Sequence, residues 1–312
     1  MNLEEQSNLN RIVRDLGIEN IVDLLIEQIP GSDLNTLLLE AFRRKTKNSS
    51  ASDLLRRYEA NRFVQAARVN PIELKQLELD TLKIAKHHSF IPLQMSPVAP
   101  LGSCSIVATV DQNKIISALR GTEVVADATN LLALHISDCL KSGKMNNEDD
   151  FIRFCTTHRH VRAQNTHKAP GILSHFQLFC MVTSSKDKGS YSFEKQSFWE
   201  HINVYKDIFQ TLFRSDLEVV LSVRSGYKDS EGLVQRILLY GEEKSMHVVT
   251  SEGSTNTENQ YYKGLQFTII ATINGQVLKI GDGGIVDWPQ QLLGNKKERM
   301  MISAIGLDRL LL

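Results

Sequence analysis

Cysteine is scarce in this 312-residue chain and never paired: Cys104, Cys139, Cys155 and Cys180 lie far apart, and no C-x-x-C occurs. Such spacing argues against a disulfide framework or a cysteine zinc site and leaves the thiols as small, reduced, buried hydrophobes. Excess charge is missing too. The 36 Lys and Arg balance the 36 Asp and Glu, so no long-range field favours a phosphate backbone. The short basic clusters Arg43-Arg44-Lys45 with Lys47, and Lys296-Lys297 with Arg299, read as solvated faces. No stretch reaches the length of a membrane span, and Met1–Gln6 has neither the basic nor the apolar region of a secretory leader. The expectation is a cytoplasmic protein with no membrane partner. Internal repeats, low-complexity tracts and the G-x-x-x-x-G-K-[ST] phosphate loop are likewise missing.

Apolar residues recur at helical spacing from Leu9 to Phe42, including Ile12, Leu16, Ile21, Leu24 and Leu25, with a break at Pro30-Gly31 and Ser32-Asp33 as the expected cap of the next helix. Lys45 to Ser52 has the small, polar composition of a linker, and Ser52 or Asp53 would cap a further helix through Leu54, Leu55 and Tyr58. Residues 1–52 therefore read as a helical appendage and linker, and 53–312 as the core. In the core, Pro71 suits the first turn of a helix with Leu74, Leu77, Leu79, Leu82 and Ile84 on its apolar side, followed by an extended segment from Ser89.

Cys104–Val110 and Lys114–Leu119, joined by Asp111-Gln112-Asn113, read as a hairpin that leaves Arg120-Gly121-Thr122-Glu123 at a strand end. Asp127 to Asn130 then opens a helix. Leu265–Ile273 and Gln276–Ile280 form the clearest hairpin, because Asn274-Gly275 supplies the positive φ angles of a two-residue turn. Strands joined by hairpins predict an antiparallel sheet and disfavour a Rossmann-type parallel one. His158 and His160 share a strand face, but no nearby carboxylate completes a ligand set, so no metal site is expected. Gly281-Asp282-Gly283-Gly284 reads as close backbone packing along a pocket.

Three segments resemble the class II aminoacyl-tRNA synthetase core, most closely that of histidyl-tRNA synthetases and their regulatory-subunit paralogues. Ile302 to Leu312, a Gly-ended strand turning into an acidic residue and Arg309, is similar to motif 3. Phe151 to Gln164 and Ile172 to Val182 are similar to motif 2, a strand ending F-R-H-E-R-P-Q, a loop, and a return strand with F-H-Q; Arg159, His160, Arg162, Gln164 and Gln177 fall on matching positions. Gln260-Tyr261-Tyr262-Lys263-Gly264, Gly281 to Asp287 and Leu292 to Gly294 follow the family's D-Y-Y-T-G, G-G-R-Y-D and L-G in order. The resemblance covers roughly Asn70 to Leu312.

It implies an α+β fold, a class II synthetase-like antiparallel sheet flanked by helices, here with a helical N-terminal appendage. It implies ATP with Mg2+ as co-substrate, gripped by Arg159 and Arg309 with Gln177 alongside, the two arginines being the catalytic candidates. An amino acid or related carboxylate would be held by residues among Arg120, Glu123, Asp127, Gln164, Tyr261 and Tyr262, with Glu123 or Asp127 as ammonium anchor. Asp127 and Asn130 are equally readable as caps of the following helix. The helix from Pro71 resembles motif 1 and implies a homodimer.

Two departures separate the chain from a histidyl-tRNA synthetase. Val161 stands where motif 2 has its adenine-binding Glu, and Thr257 and Gln260 stand where the family has Arg and Asp. With no anticodon-binding domain expected after Arg309, tRNA is not an expected partner without a further protein. Three readings remain: an ATP-dependent, adenylate-forming ligase; a non-catalytic paralogue serving as amino-acid sensor or regulatory subunit; and a dimeric scaffold that docks a protein through its N-terminal helices.

Overall fold

The computed structural model describes residues 3–146, 150–163, 174–246, 249–252 and 261–311. Gln164, Thr257 and Gln260 lie outside the described residues. The chain opens with helices α1 (Leu3–Leu16), α2 (Ile21–Asp23), which continues into a π-helical turn, α3 (Gly31–Lys47) and α4 (Ala51–Ala60). No residue of α2, α3 or α4 is buried, and Leu37, Phe42, Leu54 and Leu55 are each at least half exposed. The helices begin otherwise than expected. Pro30, not Ser32 or Asp33, precedes α3, and it offers no side-chain cap. Ser50 caps α4 in a reciprocal capping box with Asp53, and α3 persists to Lys47, so only Asn48–Ser50 remain of the expected linker.

Helix α5 (Pro71–His87) has Pro71 in its first turn, and Asn70 caps it by accepting from Ile72 N at 3.0 Å. Its buried side chains Leu74, Leu77, Thr81 and Ala85 form one stripe against the sheet, while Ile72 is 80% and Leu79 47% exposed. The short strands β1 (Ile91–Pro92) and β2 (Val98–Pro100), helix α6 (Ser103–Val107), strand β3 (Thr122–Val124) and helix α7 (Ala128–Lys141) follow.

The expected hairpin over Cys104–Leu119 is therefore absent: its first arm is α6 and its turn a 3-10 helix at Gln112–Lys114. The cause is a tertiary contact. The fully buried Glu123 carboxylate accepts from Gly102 N at 2.8 Å and Cys104 N at 3.3 Å. It thereby satisfies amides at the start of α6 that a helix leaves free.

The main sheet collects β4 (Ile152–Val161), β5 (His175–Lys186), β6 (Leu217–Val223), β7 (Val249–Glu252), β8 (Leu265–Ile273), β9 (Gln276–Val286) and β10 (Glu298–Gly306), interleaved with α8 (Ser192–Ile208), α9 (Ser230–Glu243) and α10 (Trp288–Leu293). Its order is β1-β4-β5-β10-β9-β8-β6-β7. Every pair is antiparallel except the two edges, β1 with β4 and β6 with β7. The β8–β9 hairpin turns at Asn274 and Gly275, with φ of 50° and 77°, as the sequence predicts.

Period-two alternation gives the sheet two apolar faces. Cys155, Phe179, Met181 and Ile305 point to α5, α8 and α9 and join Phe198, Trp199 and Phe267 in the larger core. Phe154, Val182, Met300 and Ile302 point the other way, to α7 and α10, and pack with Leu132, Ile136 and Trp288. On the α8 side, His201 is fully buried between Thr183 Oγ1 at 2.9 Å and Ser303 Oγ at 2.7 Å, and Tyr205 also donates to Ser303 at 2.8 Å. Among the described residues no helix is long and apolar enough to cross a membrane.

Candidate functional site

A cavity of about 850 Å³ opens on the α7 face of the sheet, within the range of small-molecule sites. Its floor is the middle of β9 and β10, where Gly281 presents bare backbone beside Asp282. A Cβ on Gly281 would stand 2.1 Å from the Ala304 carbonyl oxygen. This is the close packing expected of the Gly-rich run.

Asp127, Asp282 and Asp308 line the cavity, and the first two are each paired with one tyrosine hydroxyl. Asp127 caps α7 by accepting from Thr129 N at 2.9 Å and also accepts from Tyr261 at 2.6 Å. Asp282, on β9, accepts from Tyr262 at 3.1 Å. Burial raises the Asp282 pKa above the ordinary carboxyl value, and the Tyr262 hydrogen bond opposes it. Burial, reinforced by these carboxylates, pushes both phenols up, so they stay neutral donors. Asp127 thus caps α7 through one oxygen, and its second accepts from Tyr261 at the cavity lining.

Arg162, Lys114, Lys279 and Arg309 supply positive charge around the same space. The Arg162 guanidinium lies 5.1 Å from the Phe176 ring centre and donates through Nε to the Ala126 carbonyl at 2.9 Å. Its two terminal nitrogens make no hydrogen bond to any described residue, so that edge of the fork stays available. Arg309 donates to the Lys279 carbonyl at 2.5 Å. Behind Phe176, the buried His160 ring stacks at 5.9 Å, accepts from Ala128 N at 2.8 Å, and has its pKa lowered to about 3 by burial.

Of the residues proposed from sequence, Arg309, Gln177, Asp127, Tyr261 and Tyr262 border this cavity. Gln177 does so where its backbone is clamped: its amide donates to Asp308 and its carbonyl accepts from Leu307 N at 2.9 Å. Arg159, Glu123 and Arg120 do not line it. Arg159 shares its strand face with Cys155 and Thr157 and donates to His175 Nδ1 at 2.8 Å and, at 3.5 Å, to Asp308, which does line the cavity. Glu123 is spent on α6 and on Gln112 Nε2 at 3.0 Å. Arg120 is exposed in a turn with φ of 65°, and its amide donates to Asn35 Oδ1 at 2.6 Å.

Arg162 and Asp282 were not among the residues chosen from sequence. Strand alternation carries the signal for the first: Arg162 continues the His158, His160 face, and Arg159 cannot share it. Asp282 sits within the Gly-rich run already read as pocket backbone. Among the described residues, no group of three or more His, Cys, Asp or Glu could hold a metal ion.

An antiparallel sheet with helices on both faces, a cavity beside the motif 2-like hairpin β4–β5, and a Gly-ended β10 leading into Asp308 and Arg309 together make the fold of a class II aminoacyl-tRNA synthetase core. Solved structures agree. Staphylococcus aureus histidyl-tRNA synthetase superposes with a TM-score of 0.59 at 11% identity, over 79% of this chain and 69% of that one. An ATP phosphoribosyltransferase regulatory subunit/histidyl-tRNA synthetase from Bacillus halodurans gives 0.60 at 12%, over 78% and 80%. A histidine–tRNA ligase subunit from Alicyclobacillus acidocaldarius gives 0.56 at 10%, over 79% and 94%. The sequence matches no protein-family model and no curated protein.

Proposed function

We propose that the cavity binds an amino acid together with ATP and that the chain is an adenylate-forming ligase. The observation that carries this reading is the juxtaposition of two carboxylates, Asp127 and Asp282, with the available fork of Arg162 in one cavity. A zwitterion has one end for each. An ammonium suits the carboxylates, and a carboxylate or phosphate suits the guanidinium.

ATP is a co-substrate in this reading, and the residues present fit a polyanion: Arg162, Arg309, Lys114 and Lys279 all border the space. Arg162 and Arg309 would hold its phosphates, and Phe176 offers a flat apolar ring beside them. Mg2+ would enter on the triphosphate. In the reaction, a carboxylate oxygen of the amino acid attacks the α-phosphorus, the bond from that phosphorus to the bridging oxygen breaks, and pyrophosphate leaves. The chain contributes orientation and charge neutralisation and needs no covalent nucleophile. Arg162 takes the role that the sequence resemblance gave to Arg159.

The test is ATP–pyrophosphate exchange with each amino acid in turn, with Mg2+ present. Exchange stimulated by one amino acid or a small group supports the ligase. Amino-acid binding by calorimetry without any exchange removes the ligase and leaves the sensor or regulatory-subunit reading. One observation favours that second reading: Arg159 is already engaged by His175 and Asp308.

A homodimer through the α5 region is part of the same proposal. Leu77 is buried within the protomer, so the exposed Ile72 and Leu79 are the side chains available to a second copy.

A further inference from the structure

One part of the cavity lining, beside Asp127 in the chain, is a compact apolar cluster. Cys104, Ile115 and Ala126 are 3%, 7% and 3% exposed, pack together as one small cluster, and Val110 packs against them. All four line the cavity. They are therefore hidden from bulk solvent yet border the ligand space. Their chain neighbours fix where this cluster lies: Ala126 immediately precedes the carboxylate of Asp127, and its carbonyl anchors Arg162 Nε at 2.9 Å.

The Cys104 thiol adds no charge here. It donates to Asn130 Oδ1 at 3.1 Å, and burial, helped by the Asp127 and Glu123 carboxylates, raises its pKa and keeps it protonated. Lys114 also borders the cavity but is exposed to solvent. Ala126 adjoins Asp127 in the chain, so an ammonium held at Asp127 would sit beside the pocket formed by Cys104, Val110, Ile115 and Ala126. That pocket rewards apolar surface, and among the described residues its four side chains offer no oxygen or nitrogen acceptor to a polar side chain.

On this basis, and resting on the amino-acid reading of the site, we infer that the substrate is an α-amino acid with an uncharged, apolar side chain, seated against Cys104, Val110, Ile115 and Ala126. The wall sets specificity by size. A hydrophobic pocket separates neighbours differing by one methylene by about 10- to 200-fold, so one aliphatic or aromatic side chain should stand out from the others.

The full chain, with saturating ATP and Mg2+, is titrated by calorimetry with leucine, isoleucine, valine, methionine and phenylalanine, and with histidine, threonine, glutamine, glutamate and lysine. The expected result is tightest binding by one of the first five, by about tenfold or more over every member of the second group. Ala126→Leu should weaken that ligand about tenfold, and Ile115→Ala should shift preference toward a larger apolar side chain. Retained ATP binding confirms that each variant is folded, and the wild-type panel decides the question even if both fail to fold. Tightest binding of histidine, threonine, glutamine, glutamate or lysine overturns the inference and leaves the amino-acid site standing. Glutamate in particular would assign Lys114 as its partner. No binding by any of the ten overturns the site reading and this inference together.

Discussion

Arg162 and Arg159 are three residues apart, lie on opposite faces of one strand end, and should respond oppositely to truncation. In Arg162→Ala, the folded protein loses one part-buried hydrogen bond to the Ala126 carbonyl, worth about 0.5–1.5 kcal/mol, and the packing on Phe176. A bound carboxylate or phosphate loses a charge-assisted hydrogen bond worth about 1.5–3 kcal/mol, or about 10- to 150-fold in Kd. Arg159→Ala should show the reverse pattern. Its partner Asp308 has a side chain only 4% exposed, and although it still accepts from Gln177 N, loss of the guanidinium costs about 1–3 kcal/mol of stability. Ligand affinity per folded molecule should hold. The assays are urea denaturation for stability and calorimetry with ATP–Mg2+ for affinity. If Arg159→Ala abolishes ATP binding while Arg162→Ala leaves it intact, the strand face assigned to the ligand is wrong.

Glu123→Gln replaces a carboxylate that accepts from two backbone amides and Gln112 with a group that can accept through only one atom, so the melting temperature should fall with no loss of affinity per folded molecule. Gly281→Ala meets the Ala304 carbonyl oxygen at 2.1 Å and should cost about 1–3 kcal/mol, read from the same urea curves. His201 has a folded pKa lowered to about 3 by burial, against an ordinary value of 6.5. The unfolded chain thus binds the extra proton first, and stability, complete above 6.5, falls as pH drops toward 3 by about 1.4 kcal/mol per unit from this group. A His201→Gln variant should show a shallower slope between pH 7 and pH 5, and an unchanged slope would exclude His201 as the source. The dimer proposal predicts that Leu79→Glu lowers the mass seen by light scattering while leaving the melting curve cooperative. A wild-type monomer at micromolar concentration would end it.

Local chemistry made some of the fold legible. Asn274-Gly275 specifies its turn by φ alone, and Asn70-Pro71 specifies a helix start by a cap and a fixed φ, so both could be read before any contact was known. Cys104 to Val110 misled because its β-branched residues suit a strand, whereas a carboxylate nineteen residues on in the chain, Glu123, holds the segment as a helix. The candidate site split in the same way. Tyr261, Tyr262 and Arg309 follow from motif order, and Asp127 from the polar group ahead of the expected helix. Choosing between Arg159 and Arg162 requires knowing which face of β4 the helix α7 covers, and strand periodicity fixes only that the two faces differ.

The bare floor of the cavity carries a consequence for how this scaffold changes its taste in ligands. Where backbone lies against backbone, at Gly281 against Ala304, there is no side chain to exchange and no room to add one. Variation in selectivity then falls to side chains elsewhere in the lining, among them those of α6 and the turn leading to α7. A library that randomises Cys104, Val110, Ile115 and Ala126 while leaving β9 and β10 untouched searches the part of sequence space in which new specificities remain foldable.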